Sequence, residues 1–133
     1  MENAKKLGLK VILHVIMHGI QYISEEDEDF EEELMDFEEA VIQWEVGKEE
    51  KIYAAFSTKD GHATAVMDVK HENPTMTISI PDLNNAIDIL IGKIPGPKAY
   101  LKRLIEIEGD LNYIQKFTMA MGTIQKYLLI LKG

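Results

Sequence analysis

Cysteine is absent from the 133 residues, which excludes disulfide staples, thiolate nucleophiles and thiolate zinc sites. A basic stripe is missing as well. With 23 acids against 14 bases and a formal charge of −9, the chain offers no surface for releasing counterions from a phosphate backbone, and nucleic acid is not expected as a partner. The longest apolar run, VILHVIM, is interrupted by His14 and followed by His18, well short of the roughly 20 residues of a spanning helix. Stable membrane insertion is therefore not expected. Lys5, Lys6 and Lys10 ahead of that run mimic a secretory leader, yet no small-residue cleavage site follows. Glycine-rich phosphate loops are lacking, and Ser24, Ser57 and Ser79 have no nucleophile-elbow context. Catalysis is not expected.

The negative charge is local. Residues 25–33, EEDEDFEEE, hold eight acids and no base, leaving fifteen acids against fourteen bases elsewhere. A continuous acidic run lacks the alternation and central glycine of a calcium loop, so it reads as the solvated side of a helix whose inward face is Phe30, Leu34, Phe37 and Val41. Ser24 is the expected cap of that helix. His14 and His18 stand four apart, a spacing that suits metal ligands, but no third ligand is apparent and Val15 occupies the place of a metalloprotease glutamate. No metal and no cofactor are expected.

At this length one domain with its own core is expected. Residues 5–23 read as a helix with a stripe of Leu9, Ile12, Ile16, Ile20 and Ile23, widened by Val11, Val15 and Tyr22 beyond a normal surface face. Cover on a second side, including a homodimer through the N-terminal helices, follows as an expectation. From Ile42 the period becomes two: Ile42, Trp44 and Val46 alternate with Gln43 and Glu45, GKEEK turns, and IYAAFS, ATAVMDV and TMTISI follow as strands, with Asp60-Gly61 as a tight turn. The first three imply an antiparallel meander. Pro81 ends the fourth strand, Asp82 caps a helix bearing Leu83, Ala86, Ile87, Leu90 and Ile91, and Gly92 stops it. Pro95-Gly96-Pro97 turns into a short helix, PKAYLKR. Ile105 and Ile107 then mark a fifth strand with Glu106 and Glu108 facing out. Gly109 breaks it, and Asp110 opens a last amphipathic helix to about Leu131, carrying Phe117, Met121, Ile124 and Leu128. The fold class is α+β: a five-stranded, mainly antiparallel sheet with helices on one face, residues 1–38 forming a helical extension to a domain at 39–133.

Thr75 to Thr77, Gly92 with Lys93, Ala99 with Tyr100, and Gly109 with Asp110 stand at the spacing of a strand, helix, short helix, strand and long helix order. That order resembles the sterol carrier protein type 2 family of small lipid-binding domains, over roughly residues 40 to 131. The resemblance implies an apolar cavity between sheet and helices and a non-catalytic protein holding an acyl chain, isoprenoid or sterol-like ligand. Its implied lining is Trp44, Phe56, Met67, Met76 and Ile78 from the sheet, Leu83, Ile87, Leu90, Ile91, Tyr100 and Leu101 from the middle helices, and Phe117, Met121, Ile124 and Leu128 from the last. Methionine suits such walls because it adapts to irregular partners. Family members commonly carry Gly-Lys after the short helix and bases on the next strand. Here Arg103, Leu104, Glu106 and Glu108 stand there, so a neutral or weakly polar lipid is expected over an anionic one. The alternative is an interaction module with a filled core, accessory to a lipid-modifying or quinone-synthesising enzyme. The C-terminal LKG is not a peroxisomal Ser-Lys-Leu address, and a cytoplasmic setting is expected.

Overall fold

The computed structural model describes residues 2–110, 112–117, 122–123 and 126–127. Two helices, α1 (Glu2–Glu26) and α2 (Glu28–Met35), precede strands β1 (Ala40–Val46), β2 (Ile52–Lys59), β3 (His62–Met67) and β4 (Met76–Ile80). Then come α3 (Leu83–Leu90), α4 (Gly96–Leu101) and β5 (Glu106–Gly109). Residues 113–117 are again helical. Met121, Ile124, Leu128 and half of the expected last helix lie outside the described residues.

Period-two alternation decides which face of the sheet is buried. Ile42, Trp44, Val46, Ile52, Phe56, Met76, Ile78 and Ile80 all point to the helical layer and are buried, each apolar side chain contributing about 1.5–3 kcal/mol. The strand order is β3-β2-β1-β4-β5. β1, β2 and β3 form the expected antiparallel meander, with Asp60 and Gly61, both at positive φ, closing a two-residue turn between paired Lys59 and His62. β4 does not continue the meander. It crosses over to lie parallel to β1, Trp44 opposite Ile78, and β5 then pairs antiparallel with β4.

The crossover, residues 68–75, is tied to the sheet by a buried polar group that hydrophobic patterning passes over. Gln43, fully buried, donates its amide N–H groups to the carbonyls of Trp44 (3.2 Å) and Ala54 (3.3 Å). Its Oε1 accepts from the backbone N–H of His71 (3.1 Å) and from His71 Nδ1 (2.6 Å), so every hydrogen-bonding position of the amide is used. At the far end Gly109 runs against the backbone of β4: at φ +110°, a Cβ there would collide with the Thr75 carbonyl.

Side chains of α1 and α2, with Phe37 after them, are part of the core. Leu9, Leu13, Met17, Phe30, Leu34 and Phe37 share one buried cluster with Trp44 and Phe56. By length and composition α1 is apolar enough over Asn3–Glu26 to cross a membrane, because residues flanking VILHVIM count with it. Here its inner face is covered by the sheet, while Leu7, Val11, Val15 and Tyr22 are exposed. Ser24 corrects the sequence expectation. The helix runs on through it to Glu26, and Asp27 caps α2 instead, its carboxylate accepting from the N–H groups of Asp29 and Phe30. Ser24 is fully buried, donates to the Gln21 carbonyl (2.7 Å) and accepts from the Ala63 N–H (3.0 Å). The Gln21 side chain accepts from the Ala65 N–H (2.8 Å). Two donors on the free side of edge strand β3 are thereby satisfied by α1, which blocks pairing with another chain there.

Candidate functional site

Asp82 caps α3 as expected, accepting from the Asn85 N–H at 2.9 Å, and Gly92, at φ +85°, ends it. The chain then turns through Pro95 into α4, of which Ala99 is the buried residue. These short helices do not seal the sheet below them. An apolar cavity of about 200 Å3 remains, floored by Trp44, Ile78 and Ile80 of β1 and β4. Ile89, Leu90 and the Pro95-Gly96-Pro97 turn wall one side, and Ile105, Phe117 and Gly122 wall the other. Trp44, the single tryptophan, lies 5.2 Å from the Phe117 ring and 5.8 Å from the Phe56 ring, centroid to centroid. With no charged residue in its lining among the described residues, such a space favours alkyl or ring carbon over water.

The expected lining residues separate into groups. Trp44, Ile78, Leu90 and Phe117 meet around the cavity. Phe56 and Met76 are fully buried in the closed core, and Met67, Leu83 and Ile87 are half-buried against it. Ile91, Tyr100 and Leu101 are exposed. Met121, Ile124 and Leu128 lie outside the described residues. Ile80, Ile89, Ile105 and the Pro-Gly-Pro turn belong to the lining without having been expected there from the sequence. Ile80 continues the Met76, Ile78 face, so the strand period already carried its signal.

The wall containing Phe117 is held against α2 by polar contacts. Tyr113 donates its hydroxyl to the Phe37 carbonyl (3.1 Å), Lys116 donates to the Asp36 carbonyl (2.8 Å), and Thr123 donates to Glu33 (3.4 Å). Tyr127 donates to the Asp27 carboxylate. That hydrogen bond, with those from the Phe30 and Asp29 N–H groups, holds Asp27 below its ordinary pKa of 3.8, and the same contact raises Tyr127 above 10.0. Burial, with the charges of Glu38 and Asp110, raises Tyr113. The acidic run is therefore more than a solvated face: Asp27 and Glu33 receive hydrogen bonds from the C-terminal segment.

The opposite face of the sheet is polar. A cleft of about 590 Å3 on the opposite face of the sheet is walled by Glu45, Glu106, Glu108, Lys48, Lys51 and Lys70, among others. Charged walls keep their hydration, so an alkyl chain gains nothing there. His14 and His18 are exposed and stacked with centroids 4.0 Å apart, and among the described residues no group of three or more His, Asp or Glu is placed to hold a metal ion.

The sequence over residues 20–122 matches the model of the SCP-2 sterol transfer family. Among curated proteins none matches the chain. Among solved structures, the sterol carrier protein domain 2 of Helicoverpa armigera superposes with a TM-score of 0.63 at 17% identity, covering 86% of this chain and 85% of that one. The ubiquinone synthesis protein UbiJ gives 0.64 at 10% identity, covering 86% and 96%. Palmitated SCP2L2 of Aedes aegypti gives 0.50 at 14% identity, covering 71% and 88%. At such identities these likenesses show the fold.

Proposed function

The chain belongs to the SCP-2 sterol transfer family, and from that membership we propose that it is a non-catalytic carrier holding an apolar ligand, an acyl chain, isoprenoid or sterol-like lipid, between β1, β4 and the α3–α4 turn. The observation that supports this is the cavity itself: about 200 Å3 of apolar space lined by Trp44, Ile78, Leu90 and Phe117. Palmitate on the Aedes aegypti relative is alkyl chemistry of the kind such a lining takes, about half of a chain that long filling the space before the lining must move. Each methylene moved from water into it is worth about 0.8 kcal/mol, so useful affinity needs no charged anchor. Native mass spectrometry after gentle purification tests the proposal. A mass adduct releasable by organic extraction, or uptake of fluorescent acyl or sterol probes by the empty protein, is expected. A protein that stays empty and takes up neither probe would refute it.

A second function is favoured by one observation, the exposed stripe of Leu7, Val11, Val15 and Tyr22 on α1: self-association through this helix, in an interaction module of the kind a quinone-synthesis accessory would need. Because α1 carries part of the core, the test keeps the full chain. Light scattering should give a dimer mass that Val11→Glu with Val15→Glu halves; a monomer in both forms argues against it.

A further inference from the structure

The segment from Ile91 to Leu104 carries Lys93, Lys98, Lys102 and Arg103 and no acid, which leaves the remainder of the chain at −13. Among the described residues none of these four cations is ion-paired; the three surface ion pairs use Lys6, Lys51 and Lys59. Between and beside them stand three large apolar groups that the fold leaves in water: Leu101 at 80% exposure, Ile91 at 52% and Tyr100 at 44%. An apolar side chain as exposed as Leu101 gains nothing from the folded chain. It is presented by a short helix whose one buried residue is Ala99. The same segment supplies Pro95, Gly96 and Pro97 to the cavity lining, so the basic and apolar surface adjoins the apolar cavity.

From this coincidence of unpaired cations, exposed apolar groups and cavity rim, we infer that the α3–α4 segment docks on the surface of an anionic lipid bilayer. The lysines and Arg103 meet the headgroup charge, each adding roughly fivefold to partitioning, while Leu101, Ile91 and Tyr100 sit at the acyl boundary, as apolar faces of interfacial helices do. Opposite signs on the segment and on the rest of the molecule orient the protein, since the acidic remainder is repelled by the same surface. Docked this way, the cavity rim faces the lipid, and an alkyl chain passes between bilayer and Trp44 without crossing water. The inference goes beyond the carrier function, because docking is measurable whether or not a ligand is carried.

Vesicle flotation of the full chain, with phosphatidylcholine alone and with added phosphatidylglycerol, tests it. Binding is expected on the anionic vesicles only, and it should weaken as salt shortens the Debye length below about 10 Å. Lys98→Glu with Lys102→Glu should lower the partition coefficient at least about 25-fold, from two lost cations, and Leu101→Ser about tenfold. Both act at exposed positions, so circular dichroism should be unchanged. Val69→Ser, at an exposed apolar position on the 68–75 crossover, should leave flotation as it was. Flotation on neither vesicle, equal flotation on both, or loss only in the Val69 variant would overturn the inference.

Discussion

A series of primary alcohols of increasing chain length probes the cavity one methylene at a time. Its volume is about 200 Å3, and a methylene takes up about the space of one liquid water, ~30 Å3, so about seven carbons fit before the lining must move. Each should add about 0.8 kcal/mol, close to fourfold in affinity, and together ~6 kcal/mol. Past that length each further carbon must displace packed side chains or stay in water, so the increment should fall sharply. Trp44 supplies the assay: it is the single tryptophan, buried, and part of the cavity floor, so its emission should shift on filling. Plotting the logarithm of affinity against carbon number should give a line that breaks near seven carbons. A slope that stays constant to long chains, as for adsorption on an open surface, would refute the cavity argument, and so would a slope of zero.

Acid should loosen the cavity wall from one end. Asp27 is held below 3.8 by the Tyr127 hydroxyl first and the Phe30 N–H second, so its contribution is complete above pH 3.8 and fades as pH falls through the lowered value. Tyr127 is raised above 10.0 by the same contact, so its share is complete below pH 10 and fades above it. Carbon NMR of ring-13C-labelled Tyr127 should show one unchanged environment between those limits, with change only outside them; movement near pH 7 would contradict the assignment. Gly109→Ala should lower the urea unfolding free energy by about 3 kcal/mol, combining strain at positive φ with collision against the Thr75 carbonyl. Ser24→Ala should cost about 1–3 kcal/mol because the Ala63 N–H loses its acceptor, and hydrogen exchange at Ala63 should accelerate more than at Phe56.

What the sequence disclosed was the part of the fold settled by neighbours along the chain. Asp82 caps the next turn whatever surrounds it, Gly92 and Gly109 sit where φ is positive, Asp60-Gly61 closes a two-residue turn, and Met76, Ile78 and Ile80 share a face because strands alternate. Long-range pairing was a different matter. The pattern of TMTISI is the same whether it lies beside β3 or beside β1, and what distinguishes them is contact between residues distant in the chain, such as Gln43 with His71, 28 residues apart, and Val41 with Thr75, 34 apart. Ser24 has the composition of a helix cap, but its acceptor oxygen is used by Ala63, 39 residues away. Periodicity also reports which residues face inward, not where the interior stays unfilled. Phe56 and Trp44 have the same sequence signature, yet Phe56 sits in closed core and Trp44 borders open space. Exposure at Leu101 and Tyr100 was hidden for the same reason: α4 is too short for a periodicity to show that Ala99 alone turns inward.

The central claim is that apolar ligand occupies the space between β1, β4 and the α3–α4 turn, and a crystal grown with an alkyl chain brominated at its terminus tests it by anomalous scattering. The bromine peak is predicted within van der Waals reach of Trp44, Ile78 and Phe117. A peak in the charged cleft beside Glu106 and Glu108, or on the outer face of α1 at Val11 and Val15, would contradict the account.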